Sequence, residues 1–118
     1  MIAMTLPWPP SVNHLYGNNG RGGRYLKSAG VQFKAKVADI VADAGYQTIL
    51  GPVMLYVVAF MPDRRKRDLD NTLKILCDSL TEAGVYEDDS LIDMLLIERH
   101  KERIKGGMLK ILVRGMNE

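Results

Sequence analysis

Apolar and polar residues follow two patterns along this chain, and each pattern predicts one type of secondary structure. Residues 1–6 have the composition of a β-strand, and the uncharged apolar run Val53–Phe60 predicts a strand covered on both faces of a sheet. Residues 93–103 predict a strand that is apolar first and charged later. Residues 108–114 alternate, which predicts a last strand whose buried face carries Leu109, Ile111 and Val113.

Two other segments place apolar residues three and four positions apart, which predicts amphipathic helices. The first helix begins near Ser28, a residue type that caps helix N-termini, and ends near Gly45. The second follows Asp68 in the N-cap position and ends before Gly84, because glycine readily adopts the left-handed conformation beyond a helix. The apolar stripe of this second helix consists of Leu69, Leu73, Leu76, Cys77, Leu80 and Ala83.

The connections complete the prediction of a single domain that spans residues 1–118. Residues 7–27 hold the prolines, asparagines and glycines expected of a long loop. The dipeptide Gly106-Gly107 indicates a tight hairpin between the last two strands. The element order is therefore β-α-β-α-β-β, which predicts an α/β (α+β) fold with two helices packed on one mixed sheet.

The composition excludes several classes of protein. One cysteine among 118 residues permits neither an internal disulfide nor a cysteine-rich zinc site, which fits a reducing cytoplasm. No apolar run approaches the roughly 20 residues of a membrane-spanning helix, and no secretory leader is visible, so we expect no membrane association. A domain of this length buries a modest core, so a homodimer would be unsurprising.

Charge is distributed unevenly, although the net charge is only +2. Residues 1–67 carry nine basic and three acidic side chains, whereas residues 68–118 carry seven basic and eleven acidic ones. This polarity is typical of a protein that presents a basic surface to a polyanion and keeps a separate acidic site. An ordinary solvated surface would show the same counts.

The candidate chemistry lies in residues 61–71, where four consecutive cations precede two carboxylates one residue apart. Asp68 at the mouth of the helix and Asp70 in its first turn can point toward one ion. Magnesium prefers such oxygen ligands together with water and phosphate, and the adjacent cations would hold a DNA backbone beside it. The predicted phosphate contacts are Arg64, Arg65, Lys66 and Arg67, helped by Arg21 and Arg24 of the long loop.

Two further groups can join this site. Lys74 lies one helical turn beyond Asp70, where an ammonium group would stabilise charge on a phosphate. Glu87-Asp88-Asp89 is an acidic turn, and a βαβ-type sheet can bring the start of the next strand back toward Asp70. A third carboxylate would then complete a metal site.

Each of these residues also has an ordinary structural interpretation. Asp68 can cap the helix, Asp70 can interact favourably with the helix dipole, and Lys74 can form an i,i+4 ion pair with Asp70. The acidic turn can be merely solvated. Spacing alone does not decide between these interpretations and a metal site.

Three segments taken together resemble the RusA family of Holliday junction resolvases, which are small endodeoxyribonucleases of bacteria and phages. The first is residues 6–11, Leu-Pro-Trp-Pro-Pro-Ser, with Asn13. The second is residues 61–71, Met-Pro-Asp-Arg-Arg-Lys-Arg-Asp-Leu-Asp-Asn, and the third is Ala83-Gly84 followed by Asp88-Asp89. The resemblance covers nearly the whole chain.

The resemblance implies a homodimer that uses Mg²⁺ or Mn²⁺ to cut two strands of a four-way DNA junction symmetrically. It assigns the catalytic carboxylates to Asp68, Asp70 and Asp89 and the functional lysine to Lys74, and Asn13 would contact the junction. Two alternatives remain: a metal-dependent nuclease of other branched DNA, such as flaps or forks, and a non-catalytic DNA-binding module. The module would bind DNA without Mg²⁺-dependent nicking.

Overall fold

A computed structural model describes residues 1–11, 16–18, 20 and 22–118. Two residues predicted to contact DNA, Asn13 and Arg21, lie outside the described residues. The described part contains a four-stranded mixed sheet, two α-helices and a separate two-stranded hairpin. The predicted α/β (α+β) arrangement of two helices on one mixed sheet is therefore confirmed. None of the described helices is both long enough and apolar enough to cross a membrane.

The strands of the sheet are β1 (Ile2–Pro7), β4 (Val53–Phe60), β5 (Ile92–Arg99) and β6 (Met108–Gly115). The helices are α1 (Ser28–Ala44) and α2 (Leu73–Glu82), and the hairpin consists of β2 (Tyr16–Asn18) and β3 (Arg24–Leu26). The strand order is β1-β6-β4-β5, in which β4 and β5 run parallel and the other neighbours run antiparallel. The segment predicted as one long loop, residues 7–27, therefore includes a short hairpin.

The predicted tight hairpin between the last two strands is wrong, because β5 and β6 lie on opposite sides of β4. Gly106 and Gly107 do adopt positive φ angles, 83° and 76°, as a sharp turn requires. This turn carries the chain past the end of β4 instead of folding it back on β5. The dipeptide identified the turn but not the strands that it joins.

The core lies between the two helices and one face of the sheet. The odd-numbered side chains of β4 and the predicted apolar face of β6 are buried against the helices. The helices contribute Phe33, Val37, Val41, Ile75, Leu76 and Leu80. On the other face of β4, Met54 and Phe60 are buried but Tyr56 and Val58 are only half-buried, so the predicted cover is complete on one face and partial on the other.

The helix ends differ from the prediction mainly at the start of α2. Residues Leu69–Thr72 form a 3₁₀ turn, and Asp68 precedes it in the predicted cap position but makes no side-chain capping hydrogen bond. At α1 the cap position is Lys27, one residue before Ser28. The end of α2 is as predicted, since Gly84 has a φ of 79° and donates its N–H to the carbonyl of Thr81 at 3.0 Å.

Gly107 lies against the side chain of Trp8, where an added Cβ would come within 2.8 Å of three Trp8 atoms. We predict that Gly107→Ala lowers the free energy of unfolding by about 2 kcal/mol, because it combines a strained positive φ with overpacking. Gly106→Ala is the control, since its φ is also positive but no atom lies within 4 Å, and it should cost about 1 kcal/mol. Urea unfolding measures both values. Equal losses would show that close packing on Trp8 does not restrict this turn.

Candidate active site and basic cleft

Parallel pairing of β4 and β5 brings two polar segments to the same end of the sheet. The carboxyl ends of parallel strands meet at one edge, so the residues that follow Phe60 and Arg99 become neighbours. Two main-chain hydrogen bonds join them: His100 N–H donates to the Ala59 carbonyl at 2.9 Å, and Ile104 N–H donates to the Met61 carbonyl at 3.0 Å. This is the edge at which β4 leads into the Asp68-Leu69-Asp70 segment.

A basic cleft of about 300 Å³ opens at this edge. Its cations come from both segments and are Arg64, Arg65, Lys66, Arg99, Lys101 and Arg103. The first three were predicted as phosphate contacts from the sequence. The last three were missed, because only the parallel pairing of β4 and β5 brings residues 99–103 beside residues 64–66. Their location at the charged end of a predicted strand was the one signal that could have identified them.

Arg67, the fourth predicted phosphate contact, forms an ion pair with Asp63. Its Nη2 donates to Asp63 Oδ2 at 2.8 Å, and Asp63 Oδ1 also accepts the N–H of Arg65 at 3.0 Å. The Arg67 hydrogen bond, followed by that from Arg65, lowers the pKa of the Asp63 carboxyl below its ordinary value. Arg67 therefore orders the loop, whereas its three predecessors line the cleft.

Arg99 holds the backbone that leads into the carboxylate pair. Its Nη2 donates to the carbonyl oxygen of Arg67 at 2.6 Å. A hydrogen bond from a charged donor is stronger than one between neutral groups. Because Arg67 immediately precedes Asp68, the end of β5 fixes the position from which the pair begins.

Local structure leaves the carboxylates of Asp68 and Asp70 available. Within the described residues neither forms an ion pair, and Asp68 does not act as a side-chain cap. A small cleft of about 30 Å³ lies beside Asp68. It is lined by Trp8, Pro9, Pro10, Ser11, Arg67, Asp68, Asn71 and Thr72. The first two segments that carried the family resemblance thus meet here.

Lys74 lies one turn beyond Asp70 but pairs with Asp78, with Nζ 3.3 Å from Oδ2. That hydrogen bond is the largest cause of a raised Lys74 pKa, because the Asp78 carboxylate stabilises the protonated amine. Two residues of the β2–β3 hairpin also act electrostatically on Lys74: Tyr16 raises its pKa and Arg24 lowers it. The β2–β3 hairpin therefore lies near α2. In this hairpin the Arg24 guanidinium stacks 4.3 Å from the Tyr16 ring centroid.

The acidic turn divides its carboxylates between two roles. Asp88 Oδ2 accepts the N–H of Ser90 at 2.9 Å and so caps the 3₁₀ turn Asp89–Leu91 that leads into β5. The carboxylate of Asp89 makes no such cap and lies near α2, where its charge helps to raise the pKa of the Cys77 thiol. Of the doublet, Asp89 is therefore the residue whose side chain is available as a ligand.

Asp68, Asp70 and Asp89 do not form a closed metal cage. In the part of the chain that the structure describes, no group of three or more acidic, histidine or cysteine side chains could hold an ion. Asp70 and Cys77 are seven residues apart, which is about 10 Å along a helix, and Asp89 lies near Cys77. The donor chemistry still fits Mg²⁺, which usually takes one or two protein carboxylates and completes its shell with water and phosphate.

Burial is the main cause that raises the pKa of Cys77 to about 11, and the charge of Asp89 is the next. A raised pKa keeps the thiol neutral and unreactive. We predict that iodoacetamide at pH 8 alkylates the folded protein more than about tenfold more slowly than the urea-unfolded chain. Asp89→Asn should speed alkylation of the folded protein, and Asp88→Asn, the control, should not. Equal rates for the two variants would contradict the placement of Asp89 near this thiol.

Comparison with known proteins identifies the family. A family model described as "Endodeoxyribonuclease RusA" matches residues 7–113. The crossover junction endodeoxyribonuclease RusA of Escherichia coli strain K12 is 38% identical over 116 residues, which cover 97% of this chain and 94% of that protein. The proteins of the same name from Shigella sonnei strain Ss046 and Enterobacteria phage 82 are each 37% identical, over 97% and 96% of this chain and 94% and 93% of their own lengths. The chain therefore belongs to the RusA family of endodeoxyribonucleases.

Proposed function

We propose that this protein cuts four-way DNA junctions in a reaction that requires a divalent metal ion. One observation carries the proposal: two available carboxylates, Asp68 and Asp70, lie at the 3₁₀ turn that leads into α2, directly beyond a basic cleft built from two distant segments. A nuclease needs both features side by side, because cations must hold the DNA backbone while acidic ligands hold a metal at the phosphate. The relatives named as crossover junction endonucleases support the choice of a branched substrate.

The residues that would hold the metal are Asp68 and Asp70, with Asp89 as the third ligand once DNA is bound. Mg²⁺, or Mn²⁺ in its place, would lower the pKa of a bound water and stabilise charge on the scissile phosphate. Arg99 keeps Asp68 in position through the Arg67 carbonyl. Such indirect support holds ligands in the geometry that a reaction needs.

The basic residues would bind the substrate on either side of this site. Arg64, Arg65 and Lys66 line the cleft and would contact backbone phosphates without reading sequence. Lys74, which donates to Asp78 in the free protein, would donate to a phosphate oxygen as negative charge develops there. Arg24 of the hairpin lies near Lys74 and would add a further phosphate contact.

A four-way junction is close to two-fold symmetric, and paired cuts require two active sites. A homodimer with one site per subunit would supply them with matching symmetry. We place this activity in DNA recombination and repair, in the cytoplasm of a bacterial or phage-infected cell. The flap or fork nuclease remains the alternative, and comparing cleavage rates on a junction, a flap and a linear duplex distinguishes the two.

We predict that Asp70→Asn reduces Mg²⁺-dependent junction cleavage by about a thousandfold or more, because it removes a ligand from the metal. Junction binding measured by gel shift in the presence of chelator should be unchanged or slightly tighter. Asp43→Asn, at an exposed carboxylate of α1, is the matched control and should cut normally. Undiminished cutting by Asp70→Asn would reject the site.

We predict that Arg103→Gln, which removes a cation of the cleft that sequence analysis missed, weakens junction binding. The plot of log K against log salt concentration should become shallower by about one unit, because one phosphate contact is lost. Arg114→Gln, at an exposed residue of β6 outside the cleft, should leave the slope unchanged. Equal slopes for Arg103→Gln and the parent protein would show that the cleft does not bind DNA at this position.

A further inference from the structure

The β2–β3 hairpin exposes one large aromatic side chain, Tyr25, which is 52% exposed. Tyr25 lies opposite Gly17 in the antiparallel register. Its phenol lies directly over the backbone of Gly17, so that a Cβ added to Gly17 would overlap three of its atoms. The backbone therefore supports one side of the ring, while about half of the residue remains open to solvent. An aromatic ring held in this way is a surface on which a flat partner can stack.

The opposite face of the hairpin attaches it to the domain. Tyr16 and Leu26 lie opposite each other and pack against the hydrophobic core. Arg24 is on the same face, where its guanidinium stacks on the Tyr16 ring. Successive strand residues point to opposite faces, so the face that carries Tyr25 and Gly17 points away from the core. The Tyr25 ring is therefore held outward on an anchored hairpin.

The hairpin holds this ring close to the proposed cleavage site. Tyr16 and Arg24 lie close enough to Lys74 to act on it electrostatically, and Lys74 is one helical turn beyond Asp70. Layers packed on a sheet are about 10 Å apart, and duplex DNA advances about 3.4 Å per nucleotide along each strand. Tyr25 therefore lies within reach of a base a few nucleotides from the phosphate that Lys74 would contact.

The other aromatic residues that the structure describes lack this combination of exposure and location. Tyr46 is the next most exposed, at 39%, but its hydroxyl donates to the Ala3 carbonyl at 2.8 Å. It follows α1 and precedes β4, so it lies at the edge of the sheet opposite the basic cleft. Trp8 is half-buried against Gly107. Tyr25 is thus the aromatic residue best placed to meet DNA.

The basic cleft cannot by itself distinguish a junction from a duplex. Arg64, Arg65 and Lys66 would contact phosphates, which both kinds of DNA present. Base pairs in a continuous duplex are stacked on both sides, whereas base pairs at the branch point of an open four-way junction lose a neighbour on one side. Proteins recognise such unstacked bases by stacking aromatic side chains on them. An aromatic contact beside the active site would therefore favour the branched substrate.

We propose that Tyr25 stacks on a base that is unstacked at the branch point, and so gives the enzyme a preference for branched over duplex DNA. Every base has a π face on which an aromatic ring can stack, so Tyr25 recognises the branch and not the sequence. Arg24, which is held on the Tyr16 ring, contacts a phosphate beside that base. This inference rests on the proposed function and adds the residue that recognises the branch.

Tyr25→Leu tests the proposal, because leucine keeps a large apolar side chain over Gly17 but has no aromatic face. Fluorescence anisotropy measures the Kd for a four-way junction and for a linear duplex, with chelator present so that no DNA is cut. We expect Tyr25→Leu to weaken junction binding about tenfold and to leave duplex binding within about twofold. Tyr25→Phe, which keeps the ring, and Tyr46→Leu, the control at the other exposed tyrosine, should bind both as the parent does.

Two results of this measurement would overturn the inference. Equal losses on the junction and the duplex would show that Tyr25 only stabilises the hairpin by covering a glycine, which is a structural role that aromatic residues have in sheets. An unchanged junction affinity would show that the ring does not contact the branch. A parent protein that binds neither DNA would instead reject the proposed function on which the inference rests.

A fluorescent base tests the stacking itself. 2-Aminopurine, an adenine analogue whose emission is quenched when it is stacked, replaces one base beside the branch point in each of a set of junctions. For at least one position, we expect the saturated Tyr25→Leu complex to emit about twofold more than the parent and Tyr25→Phe complexes, because leucine cannot stack on the base. The same analogue in the middle of an arm should emit equally in all three. Equal emission at every position beside the branch point would contradict the proposal.

Discussion

The parallel pairing of β4 with β5 is the constraint on which the arrangement of this protein depends. A parallel neighbour cannot be reached through a tight turn, so the chain must cross over, and α2 is that crossover. The segment between β4 and α2 carries Asp68 and Asp70 to the carboxyl edge of β4. The return strand brings residues 99–103 to the same edge. One pairing thus creates both the carboxylate pair and the basic cleft beside it.

Opposite charges lie close together in this region without cancelling, because the structure gives some of them internal partners. The Asp63 carboxylate accepts a hydrogen bond from the Arg67 guanidinium, and the Arg67 carbonyl accepts one from the Arg99 guanidinium. The Asp88 carboxylate caps the turn before β5 by accepting the N–H of Ser90. These contacts order the loops and leave Asp68, Asp70 and Asp89 available for the proposed cation and residues 64–66 for the proposed phosphate contacts. With this division, a chain whose net charge is only +2 could bind a polyanion and a metal at neighbouring positions, as the proposed function requires.

The sequence predicted those features that depend on local periodicity or on adjacent residues. The helices, β1 and β6 have an apolar face of the right period, β4 and the first part of β5 are apolar runs, and Asp68 and Asp70 are two residues apart. The prediction of a hairpin at Gly106-Gly107 was wrong because a turn signal does not specify which strands pair. The turn joins β5 to β6, and β4 lies between them in the sheet. The β2–β3 hairpin was not predicted because its strands, of three residues each, are too short to show alternating apolar and polar residues. Arg99, Lys101 and Arg103 were missed because their role depends on tertiary structure.

In the proposed function, the carboxylates that precede α2 and the adjacent basic cleft form a metal-dependent nuclease site for branched DNA. Mapping the cuts in an end-labelled synthetic four-way junction, with Mg²⁺ and in parallel with chelator, tests it most directly. We expect two cuts at symmetry-related positions with Mg²⁺, none with chelator, and little cutting of a linear duplex of the same sequence. Cuts that persist in chelator, or equal cutting of the duplex, would contradict it.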